Sequence, residues 1–334
     1  MRGLVVGGGS IGRRHLRNLR SLGIESLGLV EPDKDRQEAV VSELQILSFE
    51  DLAAGLNWPP DFAVLATPTY LHAEQTLRIL RAGLPVFVEK PLSHTVAGIS
   101  EIVDLVEKKK LVSLVGCNMR FHPGPAKVKQ LLDEGRIGRV LFARIQVGSY
   151  LPDWRPNTDY RNNYAARAAT GGGCILDCIH EIDLARWYLG DVRSVFCVAG
   201  HLSSLEIETE DVAILVCRHA GGALSEIHLD YVQRTYERGC QIVGELGSIF
   251  WDFNAQAVRW YDAASKEWTT YAQPDAWELN QMYVDEMKHF LECLVENRPT
   301  TLPIPEAAAV MRIVFAAKTS SEQSKMVAVG EAGE

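Results

Sequence analysis

Lys90 stands in the run Glu89-Lys90-Pro91, directly after the apolar residues Val86-Phe87-Val88. An ammonium group at the end of a buried strand can stabilise negative charge developing on a carbonyl or alcohol oxygen. Pro91 biases the residue before it toward extended backbone. The plainer account of Lys90 is a surface ion pair with Glu89. A second group is Asp177 and His180, inside Gly171-Gly172-Gly173-Cys174-Ile175-Leu176-Asp177-Cys178-Ile179-His180-Glu181-Ile182-Asp183. On a helix, residues three apart are neighbours on one face. A histidine beside a carboxylate can accept and pass on a proton near neutral pH. The plainer account is a histidine held by the aspartate for packing alone. Cys174, Cys178 and His180 also raise the question of a metal. A closed zinc site wants four ligands and usually a paired cysteine spacing. Neither is present, so the cysteines read as small buried thiols and no metal is expected.

Gly7-Gly8-Gly9-Ser10-Ile11-Gly12 fits the pattern G-x-G-x-x-G. Glycine runs also occur in ordinary turns, but this one follows the apolar run Leu4-Val5-Val6 and opens a helical pattern. In that context the glycines let the backbone approach a pyrophosphate, and helix N-terminal amides face its charge. Glu31 ends the next apolar run, about 20 residues further on, where a carboxylate accepts hydrogen bonds from an adenosine ribose. It would also repel a 2′-phosphate, which favours NAD. Lys34 and Arg36 nearby keep NADP as the less favoured alternative.

Between Tyr150 and Ala169 the chain interleaves Arg155, Arg161 and Arg167 with Trp154, Tyr160 and Tyr164. Aromatic faces can stack on a sugar or a base, and guanidinium groups fork onto carboxylate or phosphate. The segment reads either as a cover that recognises an anionic sugar, a uronate or a nucleotide-linked sugar, or as a solvated loop at a subunit contact.

These residues need elements to hold them. Up to residue 120, apolar runs alternate with helical patterns: strands at 4–6, 26–30, 62–66, 85–88 and 112–115, helices at 11–22, 33–44, 70–82 and 96–110. Asp33 is a candidate cap. The alternation predicts a parallel, doubly wound sheet. Beyond Asn118 the pattern changes. A helix is expected at 125–134, a strand at 140–147 and a helix at 175–189. From 192 to 260 come consecutive strands without helices, which suggests an antiparallel sheet. Helices at 281–296 and 305–321 close the chain, the second with proline in its first turn. The reading is a dinucleotide-binding domain over 1–120, an α+β domain over 121–325 for substrate binding and oligomerisation, with the alternative that its last helix packs back on the first domain, and a flexible tail over 326–334.

The bulk composition fits this. The 334 residues are 47% hydrophobic and 23% charged, enough for two ordinary cores. A net charge of −9 argues against nucleic-acid or anionic-membrane partners. No run approaches the ~18 apolar residues of a membrane helix, and Met1 to Gly7 lack a signal-peptide pattern. Seven scattered cysteines, an odd number, read as reduced thiols in a cytoplasm.

Taken together, Gly7 to Gly12, Ala66-Thr67-Pro68 with His72, Glu89-Lys90-Pro91, Asn118-Met119-Arg120-Phe121, and Gly171-Gly172-Gly173 followed by Asp177 and His180 resemble the glucose–fructose oxidoreductase/inositol dehydrogenase (Gfo/Idh/MocA) family. The resemblance covers nearly the whole chain. It implies an N-terminal Rossmann domain, a C-terminal domain built on a large open antiparallel sheet, and a homodimer or homotetramer associating through that sheet. It also implies a hydride exchanged between NAD(H) and a hydroxyl or keto carbon of a sugar-type molecule. Lys90 would polarise the substrate hydroxyl, His180 would be the general acid/base, and Asp177 would orient substrate or histidine. Gly7, Gly9, Ser10, Ile11, Gly12, Glu31, Thr67, Pro68, His72, Glu89, Lys90 and Asn118 would hold the cofactor. Arg120, Trp154, Arg155, Tyr160, Arg161 and Tyr164 would face the substrate. In many members the aspartate precedes the histidine by four residues; here the interval is three. A branch with that shorter interval and a similar Asp153-Trp154-Arg155 and Tyr160-Arg161 loop resembles proteins linked to surface-polysaccharide sugars. Two other readings remain: a hydrolase or lyase that recycles its NAD, and a non-catalytic protein that senses NAD.

Overall fold

The computed structural model describes residues 1–155 and 158–330. The chain forms two compact units, Met1–Asn118 with Glu278–Ala308, and Met119–Trp277 with Ala309–Glu334.

The first unit holds a six-stranded parallel sheet: β1 (Arg2–Val6), β2 (Ser26–Val30), β3 (Leu47–Phe49), β4 (Phe62–Leu65), β5 (Val86–Glu89) and β6 (Ser113–Gly116), in the order β3-β2-β1-β4-β5-β6. All of β4 is buried, as expected of a strand covered on both faces. The crossover helices are α1 (Ser10–Ser21), α2 (Lys34–Leu44), α3 (Leu52–Asn57), α4 (His72–Arg81) and α5 (Ile99–Lys109). Asp33 caps α2, its carboxylate accepting the Arg36 amide at 2.8 Å. Strand order reverses between β1 and β4, so the crevice outside their carboxyl ends is where a dinucleotide binds in such sheets. Gly7, Glu31, Thr67 and Lys90 all follow or end strands on that edge. β3 and α3 carry no clear period over their few residues and were not expected.

The second unit is led by α6 (Pro123–Asp133), β7 (Val140–Gly148), α7 (Cys174–Asp177) and α8 (Ile179–Leu189). It continues with β8 (Val192–Gly200), β9 (Val212–His219), β10 (Leu224–Asp230), β11 (Glu237–Gly244), β12 (Gly247–Asp252), β13 (Ala257–Asp262) and β14 (Glu267–Ala272). The last elements of the chain are α9 (Asn280–Glu296), α10 (Ile304–Gln323) and β15 (Val327–Ala328). The nine-stranded sheet runs β14-β13-β12-β11-β7-β10-β9-β8-β15. It is antiparallel except where β10 lies parallel to β7, because the chain leaves β7 through α7 and α8 and comes back from the far side through β8 and β9. Burial alternates along β9: Ala213, Leu215 and Cys217 are inside, while Ile214, Val216 and Arg218 are exposed. One face of this sheet is therefore covered and the other is open.

Three expectations are corrected. The segment 278–308 belongs with the first unit, because Phe290 of α9 packs edge-on against Phe62 and Phe87, each at 5.9 Å. The stretch 326–334 is not wholly a tail. Val327 and Ala328 pair with Val195 and Ser194, while 331–334 lie outside the described residues. The expected helix 175–189 is two helices, broken at Cys178 with φ −88° and ψ 32°.

Candidate active site

The first unit carries a phosphate cradle. Gly7 has φ +102°, a conformation that favours glycine. A Cβ on Gly12 would lie 1.9 Å from the Gly7 carbonyl oxygen, so the turn into α1 admits no side chain there. A Cβ on Gly9 would meet nothing within 4 Å, so the approach to the helix terminus is open. No side chain caps α1 and no acidic residue lies in its first turn. Its amides, including those of Ser10 and Ile11, are thus free to receive an anion. Glu31, 3% exposed, accepts the Gly8 amide at 2.7 Å and the Asp33 amide at 3.0 Å, with Arg36 Nη1 at 3.3 Å. A carboxylate fixed beside the glycine turn fits a ribose diol. The residues present therefore fit NAD.

The end of β5 lies in the same unit. Glu89 Oε1 is 2.6 Å from His15 Nε2, and Glu89 Oε2 accepts the Lys90 amide at 3.2 Å. The Lys90–Pro91 peptide is cis. Thr67 donates its hydroxyl to Gln75 Oε1 at 2.7 Å, and Pro68 is exposed beside it. Asn118 is buried, and the Arg14 guanidinium lies 4.3 Å over the ring of Tyr283 of α9. Burial holds the Tyr283 phenol above its ordinary pKa, reinforced by the Glu89 charge. His72 departs from its expected contact with the cofactor. Its Nδ1 lies 2.8 Å from the Pro91 and its Nε2 2.8 Å from the Thr67 carbonyl oxygen; burial keeps the ring neutral, so it donates to one of the two and its ring is taken up by backbone.

The second unit holds Asp177 and His180, both buried, on either side of the break at Cys178. They are not on one continuous helix face as expected. Gly173, at φ +104°, leads into α7, whose first amides are met by Glu210: its carbonyl takes Cys174 N–H at 3.1 Å and its carboxylate takes Ile175 N–H at 3.2 Å. Tyr164 donates to Asp177 Oδ1 at 2.9 Å and Tyr231 to Oδ2 at 3.3 Å. Tyr231 is fully buried, which pushes its phenol well above the ordinary range, with the Asp177 charge adding to it. It therefore stays a donor. Trp154 stands edge-on to Tyr231 at 5.3 Å and donates its indole N–H to Ser149.

Helix α8 is fastened by two buried ion pairs at Glu181 and Asp183, on either side of Ile182 and directly after His180. Arg238 forks onto Glu181 at 2.7 and 3.1 Å, and Arg120 forks onto Asp183 at 2.8 and 2.7 Å. Arg120, expected at the substrate, is thus committed to the unit's interior and lies 5.1 Å from the Trp187 ring. Arg161 is likewise committed, to Asp159 and Glu206 on the surface. Tyr160 accepts the Glu206 amide at 3.1 Å. Arg155 is exposed. Among the described residues no group of three or more His, Cys, Asp or Glu could hold a metal, and no helix is long and apolar enough to cross a membrane.

Sequence reasoning missed His15, Tyr283 and Tyr231. A histidine at helical spacing with Leu16 and Leu19 on the buried face of α1 was a usable signal for the first. Tyr283 and Tyr231 come from distant parts of the chain, and no spacing links them to Lys90 or Asp177.

Residues 1–117 match an oxidoreductase family with an NAD-binding Rossmann fold, and residues 126–250 match the GFO/IDH/MocA C-terminal domain. The chain belongs to the Gfo/Idh/MocA family. This family member is 31% identical to an inositol 2-dehydrogenase of Streptomyces avermitilis over 254 residues, 73% of this chain and 70% of that protein. It is 27% identical to the myo-inositol 2-dehydrogenase of Thermotoga maritima over 339 residues, 98% of each. Levoglucosan dehydrogenase, in complex with NADH and levoglucosan, has the same fold, with a TM-score of 0.89 at 21% identity over 99% of this chain and 100% of that one. The Gfo/Idh/MocA chain described here is accordingly an NAD-dependent oxidoreductase.

Proposed function

We propose that this enzyme oxidises a hydroxyl-bearing carbon of a sugar-type polyol, or reduces the matching ketone, with Lys90, Asp177 and His180 acting on the substrate. NAD, when bound, supplies the hydride acceptor. Gly7, Gly9, Ser10, Ile11, Gly12 and Glu31 hold its phosphates and ribose, and Thr67, Pro68, Glu89 and Asn118 line the nicotinamide end. Lys90 stabilises the oxygen as its proton leaves, and His180 takes that proton. Asp177, fixed by two phenols, orients a substrate hydroxyl.

The observation that carries this reading is the placing of a lysine at the carboxyl end of β5, on the edge where Gly7 and Glu31 form the dinucleotide cradle. Arg120 and Arg161 are already paired with carboxylates, which favours a neutral polyol over an anionic sugar. Trp154, Arg155, Tyr160 and Tyr164 remain the proposed substrate-facing residues, and a uronate or nucleotide-linked sugar would have to be read by the exposed Arg155 and Arg167. The test is a panel of cyclitols, neutral sugars, uronates and nucleotide sugars, each assayed for net NAD reduction. A polyol should give accumulated NADH. Absence of NADH with every compound would reject the reading.

We further propose a homodimer or homotetramer formed on the open face of the nine-stranded sheet, where Phe142, Val198, Ile214, Val216 and Leu224 are exposed. Light scattering of wild type and of Val216→Lys would test it. A cytoplasmic location is proposed from the cysteine usage.

A further inference from the structure

We propose that His15 and His72 are positioning residues that brace Lys90 from its two sides; this rests on the role proposed above for Lys90. All the residues concerned lie in the first unit.

His15 projects from α1 and is 0% exposed. Its ring stands edge-on to Phe87 at 5.0 Å and to Tyr283 at 6.5 Å, so packing fixes its plane. Nε2 meets Glu89 Oε1 at 2.6 Å, while the buried Nδ1 has no partner. A bare lone pair is tolerated there more easily than an orphaned N–H, which puts the proton on Nε2 and makes His15 the donor. The other oxygen of Glu89 accepts the amide of Lys90 itself. Glu89 is therefore held at both oxygens.

On the other side, His72 at the start of α4 is 1% exposed, and its one N–H as a neutral ring goes to the fully buried contact, Nδ1 donating to the Pro91 carbonyl at 2.8 Å, while Nε2 faces the partly solvated Thr67 carbonyl as a bare lone pair. The residues immediately before and after Lys90 are thus each fastened to a buried imidazole, one from α1 and one from α4. The Lys90 stem springs from backbone held on both flanks. Because α1 begins at the glycine turn of the phosphate cradle, His15 also ties that helix to the end of β5. Positioning of this kind matters because a shift of about 1 Å in a reacting group costs on the order of a hundredfold in rate.

The test uses the full chain with His15→Leu, His15→Gln and His72→Gln. Hydrogen exchange of 86–93 is compared with that of 212–219 in the absence of ligand. NAD affinity and turnover of the polyol found in the panel are then measured, with and without Lys90→Met. His15→Leu should speed exchange of 86–93 at least about tenfold, leaving 212–219 alone, while His15→Gln, which keeps an N–H toward Glu89, stays nearer wild type. NAD affinity should hold within about threefold, while kcat falls at least about tenfold. That fall should vanish in the Lys90→Met background, since groups acting through one another are non-additive. Unchanged exchange at 86–93, or the same loss with and without Lys90, overturns the inference. If His15→Leu does not fold, His72→Gln gives the same readouts from the Pro91 side. A Lys90→Met enzyme with wild-type turnover would instead defeat the role proposed for Lys90, and the exchange result would still decide the bracing.

Discussion

Tyr164 donates its phenolic hydrogen to Asp177 across 2.9 Å, which ties the aromatic and arginine-rich segment to the carboxylate before the helix break. A hydrogen bond to a charged group contributes about 1.5–3 kcal/mol. Tyr164→Phe should therefore lower kcat/KM for the polyol by about tenfold or more. The NAD dissociation constant should not change. Steady-state kinetics with a fluorescence titration of NAD checks both, and an unchanged kcat/KM would detach Tyr164 from the chemistry.

Glu31 sets the cofactor choice in this account. Glu31→Ala removes a buried carboxylate that Arg36 approaches at 3.3 Å. NAD affinity should fall about tenfold, and the gap between NAD and NADP should narrow as Arg36 becomes available to a 2′-phosphate. Initial rates with each cofactor measure this. A preference for NAD that survives unaltered would place discrimination elsewhere.

The Arg238–Glu181 pair should be costly to break on one side only. Arg238→Met leaves a fully buried carboxylate without its cation, which costs about 3–5 kcal/mol. The double change Arg238→Met with Glu181→Leu should cost clearly less, because no charge is stranded. Urea unfolding of the three proteins checks the order. Equal losses in the single and double variants would contradict it.

Acid should weaken the fold in a defined window. His122 lies among Trp251, Phe253 and Trp277, with Nδ1 accepting the Gly124 amide at 3.1 Å. Burial, with the Arg238 charge, lowers its pKa from 6.5 to about 4. The unfolded chain then binds the proton more readily, so this contribution is complete above pH 6.5 and is lost as pH falls toward 4. At about 1.4 kcal/mol per pH unit, the loss is up to about 3 kcal/mol. His72, His219 and His289 are lowered by burial in the same direction, whereas His228, raised chiefly by Asp230, acts oppositely. Denaturant midpoints at pH 7 and 5 should show a smaller difference in His122→Gln than in wild type. An identical difference would remove His122 from the effect.

Much of the first unit was legible because its signals are local. The glycines, Glu31, the Asp33 cap and the apolar runs of β1, β2, β4 and β5 each follow from spacing within a few residues. Other features depend on residues far apart in sequence. Arg120 reads as a ligand-binding cation until Asp183 is seen to take it, and Arg161 until Glu206 does. His72 reads as a cofactor contact until Pro91 and Thr67 are placed on its two nitrogens. The break at Cys178 was hidden because Cys174 to Leu189 keeps an unbroken helical composition, and the Tyr164 and Tyr231 hydroxyls that meet Asp177 come from outside it. The strand pairing of Val327 and Ala328 was hidden by length, since two residues carry no period.

Lys90 and His180 are proposed to carry out the proton chemistry of an NAD-linked oxidation. Single-turnover absorbance of reduced nicotinamide, recorded with enzyme in excess over NAD and saturating polyol, tests this most directly. Wild type should convert the bound NAD stoichiometrically, while Lys90→Met and His180→Asn should bind NAD as tightly and reduce it on the order of a hundredfold or more slowly. Reduction at the wild-type rate by either variant would contradict the account.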